Sequence, residues 1–153
     1  MLLTGIVCVS AVLYYSWQNR QTWFGYDIYR IESVSMLPTL KPNDIVVVKL
    51  IAAKAVVIAV GDIVVLNDPQ VQDQQLIKRV AQIPGQDANY VQTRVTLNDI
   101  TRTPMVTREQ VSLKNLNGYF VLGDNPNHST DSRDFGPVSL EALVGSVVYV
   151  YSY

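Results

Sequence analysis

The apolar and polar positions of this chain form one long apolar run, followed by a series of short alternating segments. Residues 1–19 contain no Asp, Glu, Lys, Arg or His. A helix of about 20 apolar residues crosses a bilayer, and about 17 is the lower limit, so the run predicts a membrane anchor over residues 1–20. Tyr14, Tyr15 and Trp17 stand at its end, where an interfacial aromatic belt would lie. A cleaved signal peptide and a buried core helix are the alternative interpretations.

Beyond residue 24 the pattern changes to short β-branched runs that are bounded by turn residues such as Gly61 and Gly85. Runs spaced by about 8–12 residues predict a mostly-β domain over residues 24–153, either a barrel or a sandwich. The predicted strands are 24–33, 44–50, 62–66, 76–83, 89–97, 119–122 and 145–153. The other predictions are an ambiguous segment at 52–60, a polar connection at 100–114 and a helical turn at 141–143.

Composition narrows the possible partners. The chain has 12 Lys and Arg residues against 13 Asp and Glu residues, so it has no net field that would recruit nucleic acid. Its single cysteine, Cys8, and single histidine, His128, cannot build an internal disulfide or an all-protein zinc site. We therefore expect no metal, no cofactor and no nucleic-acid partner.

The first segment with candidate chemistry contains two serines. Ser33 and Ser35 are two positions apart, so they point to the same side of an extended strand, and a Pro-Thr turn follows at Pro38. A serine hydroxyl becomes a nucleophile when a base takes its proton. A second hydroxyl can donate to the oxyanion that then forms. The same short pattern also fits a polar strand end with two solvated serines.

The second segment contains a candidate base. On a strand, Lys78 shares its face with the apolar Leu76 and Val80, whereas Arg79 points to the other face. A lysine with the ordinary pKa of about 10.4 is neutral in only about 1 molecule in 2,500 at pH 7. Burial can lower that pKa by about 2–3 units and so make the free amine available. The alternative is a pair of surface cations on an edge strand.

The third segment, residues 123–138, is a polar loop rich in turn-forming side chains. Asp124 and Asn125 can form Asx turns that hold an irregular backbone in place. Asp131 and Arg133 are two positions apart and can pair, which would lock the loop. These four residues are the predicted loop-structuring residues.

Taken in this order, the three segments resemble the type I signal peptidase family, whose members are membrane-anchored serine proteases with a Ser-Lys dyad. The resemblance implies a small signal-peptidase/LexA-like β-fold with one N-terminal transmembrane helix. It implies that Ser35 is the nucleophile and Lys78 the general base. Ser33 and the Ser35 N–H would form the oxyanion hole, and Ser129 would orient the lysine. The implied substrate-binding residues are Ile31, Met36, Leu40 and Ile77.

The implied function is the removal of signal peptides from translocated preproteins, with small residues at two specificity positions, as in Ala-x-Ala. The implied partners are preprotein signal peptides and membrane lipid. The implied location is the bacterial plasma membrane, single-pass, with the catalytic domain outside the cytoplasm; the mitochondrial inner membrane is the alternative. Arg20 and Arg30 follow the apolar run, and charge bias alone would favour the opposite orientation.

Pro126 and His128 depart from residues common in bacterial members of the family. Three rival hypotheses remain at this point. One rival is a Ser-His-Asp hydrolase that uses Ser35, His128 and either Asp124 or Asp131. The second is a self-cleaving repressor of the LexA type, and the third is an inactive membrane-tethered β-domain that binds partners.

Overall fold

The structure, a computed structural model, describes residues 10, 14–16, 25–51, 56–97, 104–114 and 116–152. Its strands are β1 (Tyr26–Arg30), β2 (Ile45–Leu50), β3 (Ile63–Asn67), β4 (Gln75–Gln82), β5 (Ala88–Leu97), β6 (Pro104–Leu113), β7 (Phe120–Leu122) and β8 (Leu143–Tyr151). Three short helical elements complete the fold: two 3-10 turns, Pro126–His128 and Leu140–Ala142, and one α-helical turn, Ser132–Phe135. The prediction of a mostly-β fold is therefore confirmed.

The strands form two antiparallel sheets. Six of them pair in the order β1-β2-β8-β3-β4-β7, and β5 pairs with β6 in a separate two-stranded ribbon. In β2 the strand alternation turns Val46 and Val48 inward, and in β4 it turns Lys78, Val80 and Gln82 inward. Lys78 therefore faces the interior because of its position in the alternation of side chains along β4.

The core consists of two clusters of buried apolar side chains. The first contains Ile58, Val64, Leu66, Val80, Val121, Val138 and Leu143. The second contains Ile31, Met36, Leu40, Val46, Val48 and Val65. The second cluster includes Met36, which directly follows Ser35 in the chain, so burial of Met36 ties the serine segment to the sheet.

The prediction of a polar connection at 100–114 is wrong for residues 104–113, which form β6. This strand pairs with β5 from Ala88 opposite Leu113 to Leu97 opposite Pro104. Backbone pairing in a two-stranded ribbon does not require a buried apolar face, so a polar sequence is compatible with a strand. The helical turn Ser132–Phe135 was also missed; Asp131 caps it in a reciprocal capping box with Asp134.

Most of the predicted anchor lies outside the described residues. Of residues 1–20, the structure describes 10 and 14–16, and these are helical. No helix within the described part of the chain has the length and apolar character needed to cross a membrane. Of the ambiguous segment 52–60, residues 52–55 also lie outside the description, and 56–59 are neither helix nor strand.

Candidate active site

The predicted nucleophile and the predicted base lie in contact. Lys78 Nζ donates a hydrogen bond to Ser35 Oγ at 3.1 Å and a second to the carbonyl oxygen of Ile77 at 3.0 Å. Lys78 has 2% of its surface exposed and Ser35 has 5%. Residues 43 positions apart in the chain are thus joined through their side chains in a nearly dry environment.

The electrostatics of the site lower the pKa of the lysine. Burial lowers the pKa of Lys78, because the charged ammonium loses its water. The carboxylates of Asp131 and Asp68 act in the opposite direction, and the guanidinium of Arg133 acts with burial. Burial is the largest of these effects, and the net result is a pKa below the ordinary value of 10.5.

The second serine lies beside the first. Ser33 Oγ and Ser35 Oγ are 3.1 Å apart, at hydrogen-bonding distance. Both serines lie beyond the end of β1, and Ser35 stands in a turn closed by the bond from Leu37 N–H to the Val34 carbonyl, so the predicted extended strand does not reach them. The backbone before them is held against the residues that precede β2, since Ile31 N–H donates to the Asp44 carbonyl at 2.8 Å and the Ile31 carbonyl accepts from Asn43 N–H at 2.7 Å. The two hydroxyls and the lysine amine therefore form one cluster.

The loop of residues 123–138 packs directly against the serine segment. Asn125 N–H donates to the Ser35 carbonyl at 2.9 Å, and Asn125 Nδ2 donates to the Val34 carbonyl at 3.0 Å. At Gly123 a Cβ atom would lie 2.7 Å from the Ser35 carbonyl oxygen and would also collide with the side chain of Ser129. Only glycine permits this approach of the loop to the nucleophile.

An ion pair between the fully buried Asp131 and the largely buried Arg133 holds the loop in shape. The carboxylate of Asp131 accepts from Arg133 Nε at 2.8 Å and from Arg133 Nη2 at 2.7 Å. It also accepts from Gly123 N–H at 2.9 Å and from the Ser129 hydroxyl at 2.8 Å. Burial alone raises the pKa of Asp131, but these hydrogen bonds outweigh burial and hold it below the ordinary value. Ser129 donates to Asp131 here, so its predicted role toward Lys78 stays a prediction.

A second ion pair was not predicted from the sequence. Arg79 points away from Lys78, as the strand alternation predicts, and donates from Nε and Nη2 to Asp124 at 2.9 and 2.6 Å. Its Nη1 donates to the Gly61 carbonyl at 2.8 Å. Burial raises the pKa of Asp124, but hydrogen bonds from Arg79 and Thr39 lower it more. The sequence does contain a signal for this pair: Arg79 faces away from Lys78, and Asp124 in the third segment is an acid that could accept from it.

A groove of about 330 Å³ leads to the lysine. It runs between the segment that contains Ile31 and Ser33 and the end of β4 that contains Ile77 and Lys78. Two of the four predicted substrate-binding residues, Ile31 and Ile77, line this groove.

Several predicted residues lie elsewhere. Met36 and Leu40 have no exposed surface, belong to the core and do not line the groove. His128 is exposed. Among the described residues, the hydrogen-bond partners of Ser35 Oγ are Ser33 and Lys78. The structure therefore gives the Ser-His-Asp hypothesis no supporting contact.

An antiparallel β-domain that holds a serine and a buried lysine in contact beside an open groove has the features of a peptide hydrolase. The family model described as "Signal peptidase, peptidase S26" matches residues 3–152. The chain belongs to this signal peptidase family, and it is a serine peptidase by class.

Individual relatives come from bacteria and from organelles. The chain is 31% identical over 140 residues to "Signal peptidase I V" of Bacillus subtilis, which covers 78% of this chain and 82% of the relative. It is 33% identical over 134 residues to "Probable signal peptidase I-1" of Synechocystis, with 78% and 67% covered. It is 33% identical over 116 residues to "Mitochondrial ATP-independent inner membrane protease subunit 1b" of Arabidopsis thaliana, with 75% and 63% covered. The chain thus spans less than two thirds of that mitochondrial relative.

Proposed function

We propose that this protein is a membrane-anchored endopeptidase that removes signal peptides from translocated preproteins by a Ser35–Lys78 dyad. The observation that carries the proposal is the buried Lys78 Nζ, which lies 3.1 Å from Ser35 Oγ on a lysine that lines the groove. A lysine whose pKa is lowered by burial supplies the free amine that the reaction needs.

The proposed reaction has two halves. Neutral Lys78 takes the proton of Ser35 Oγ, which attacks the scissile carbonyl carbon, and the tetrahedral oxyanion accepts hydrogen bonds from Ser33 Oγ and Ser35 N–H. The tetrahedral intermediate collapses, the peptide C–N bond breaks, and protonated Lys78 returns the proton to the leaving amine. In the second half Lys78 takes a proton from water, whose oxygen attacks the acyl carbon; the ester C–O bond breaks, the acid product leaves, and protonated Lys78 returns the proton to Ser35 Oγ.

The groove accounts for the proposed substrate. An extended preprotein segment lies between the serine segment and β4, with its scissile carbonyl at Ser35. Ile31 and Ile77 form apolar parts of the groove lining. Apolar contact at these two residues fits the small apolar side chains of an Ala-x-Ala site.

The proposed location is the bacterial plasma membrane, with residues 1–20 as a single-pass anchor and residues 24–153 as a catalytic domain outside the cytoplasm. The uncharged apolar run supports the anchor. The mitochondrial inner membrane is the alternative, because the relatives named as mitochondrial inner membrane proteases are about as identical to this chain as the bacterial signal peptidase is. Alkaline carbonate extraction of expressing cells should leave the protein in the membrane pellet, and protease added outside should digest the domain. Release into the supernatant would contradict the anchor.

Cleavage of a model preprotein with an Ala-x-Ala site tests the dyad. Lys78→Ala should lower kcat by about 10²- to 10⁴-fold, the range for loss of a general base, and Ser35→Ala should abolish turnover. Lys41→Ala, at an exposed lysine, is the matched control and should cleave as the wild type does.

His128→Ala decides between the dyad and the triad. The variant should retain cleavage, since its exposed side chain has no contact with Ser35 in the described structure. Loss of activity in a folded His128→Ala protein would replace the dyad with a triad. A wild-type protein that binds preproteins without cleaving them would favour the inactive binding domain.

A further inference from the structure

The side chain of Asn125 reaches across to the serine segment instead of turning back on its own loop. Its Nδ2 donates to the Val34 carbonyl at 3.0 Å, and its backbone N–H donates to the Ser35 carbonyl at 2.9 Å. These two carbonyls belong to the peptide groups on either side of the Ser35 Cα atom. One residue of the loop therefore holds both peptide groups that flank the proposed nucleophile.

The geometry of a peptide group gives the first of these contacts a consequence. The Val34 carbonyl and the Ser35 N–H belong to the same planar trans peptide, so they point in opposite directions. A donor that fixes the Val34 oxygen thereby fixes the direction of the Ser35 N–H. Among the described residues, the Ser35 N–H has no hydrogen-bond acceptor. A free N–H next to the nucleophilic oxygen is what an oxyanion requires.

We propose that Asn125 is a positioning residue for the oxyanion hole, whose side-chain amide holds the Val34–Ser35 peptide so that Ser35 N–H faces the substrate carbonyl oxygen. This role rests on the proposed function, because it is a step of the same reaction. Leu37 N–H also donates to the Val34 oxygen, at the longer distance of 3.2 Å. Loss of the Asn125 amide therefore loosens the peptide plane and does not free it completely.

Two variants of the full-length protein separate this role from simple support of the loop. Asn125→Ala removes Nδ2 and keeps the backbone N–H on the Ser35 carbonyl. Asn125→Asp keeps the size of the side chain but has no donor and places a negative oxygen near the Val34 carbonyl. Asn127→Ala, at an exposed amide two positions along the same loop, is the matched control.

We expect both Asn125 variants to lower kcat for preprotein cleavage by about 10-fold. That is less than the roughly 10²- to 10³-fold cost of deleting an oxyanion donor, because Leu37 still holds the peptide. KM should stay within about 2-fold, the acid limb of the kcat/KM profile should stay in place, and Asn127→Ala should match the wild type. If the Asn125 side chain only filled space, Asn125→Asp, which keeps its size, would be more active than Asn125→Ala.

Full activity in Asn125→Asp would overturn the proposed role. A loss of activity accompanied by a shift in the acid limb of the kcat/KM profile would also overturn it, because such a shift would mean that the substitution acts on Lys78. If Asn125→Ala does not fold, Asn125→Asp decides the question by the same criteria. Full activity of Asn125→Asp beside an inactive Ser35→Ala would refute the positioning role alone. Cleavage that survives Ser35→Ala would refute the proposed function together with it.

Discussion

The Asp131–Arg133 pair is the part of the site whose removal should cost the most stability. Asp131 is fully buried and accepts five hydrogen bonds: one from Gly123 N–H, one from the Ser129 hydroxyl and three from Arg133, whose backbone N–H adds a contact at 3.2 Å. Asp131→Asn keeps the shape of the side chain but turns one acceptor oxygen into a donor. It also leaves the guanidinium of Arg133, whose side chain is 11% exposed, without its counter-charge.

The size of the effect follows from this burial. Removing one partner of a buried ion pair costs about 3–5 kcal/mol, because the other charge stays buried and unpaired. A domain of this size has a free energy of unfolding of about 5–15 kcal/mol, so the variant should lose a large part of it. At about 2–4 °C per kcal/mol, the midpoint of thermal unfolding should fall by roughly 6–20 °C.

Urea unfolding followed by circular dichroism measures this loss. Asp73→Asn is the matched control, because Asp73 is exposed and its positive φ of 61° is one that asparagine also tolerates. The control should change the free energy of unfolding by less than about 0.5 kcal/mol. A loss below about 1 kcal/mol in Asp131→Asn would show that the pair is no stronger than a surface salt bridge, and the account of the loop would fail.

The same pair predicts a dependence on pH. The pKa of Asp131 is lower in the folded protein than the ordinary 3.8 of the unfolded chain, so its stabilisation is fully present above that ordinary value. The stabilisation is lost as the pH falls through the folded-state pKa. The difference in stability between the wild type and Asp131→Asn should therefore be constant near neutral pH and narrow in strong acid. A difference that widened on acidification would have the wrong sign.

Two further predictions concern catalysis. Gly123→Ala should lower kcat, because the new Cβ collides with the Ser35 carbonyl. Gly85→Ala is the control: it has open space around the new Cβ, so it should leave kcat unchanged, and its positive φ should cost about 1–2 kcal/mol of stability. Equal kcat values for the two variants would contradict the close fit at Gly123. Lys78→Arg should be inactive at every pH, since a guanidinium keeps its proton, and measurable cleavage by this variant would exclude Lys78 as the base.

Much of the site follows from strand alternation and turn chemistry alone. Period-2 alternation predicts that Lys78 faces inward and Arg79 outward, and the structure has them so. The same rule predicts that Ser33 and Ser35 share one side of a strand; their hydroxyls are 3.1 Å apart, but Ser35 lies in a turn beyond β1, so strand alternation is not the reason for the contact. The face on which Lys78 or Arg79 lies depends on neighbours along its strand, so local sequence suffices to anticipate it.

Contacts between distant segments could not be anticipated in the same way. Met36 and Leu40 were assigned to the substrate on a family resemblance, but in this fold both fill the core beneath the serine segment. The partner of Asn125 is the Val34 carbonyl, 91 positions away, and backbone acceptors leave no trace in a sequence. Strand β6 is not predicted from the sequence, because its backbone pairing with β5 does not require a run of apolar residues.

An NMR titration of Lys78 tests the central claim most directly. Lysine labelled with ¹³C at Cε reports protonation of each amine, and the Lys78→Met variant identifies the signal by its absence. We predict a midpoint below the ordinary value of 10.5 that coincides with the acid limb of kcat/KM for preprotein cleavage. A Lys78 signal that titrates at or above 10.5, or an acid limb at a different pH, would contradict the account.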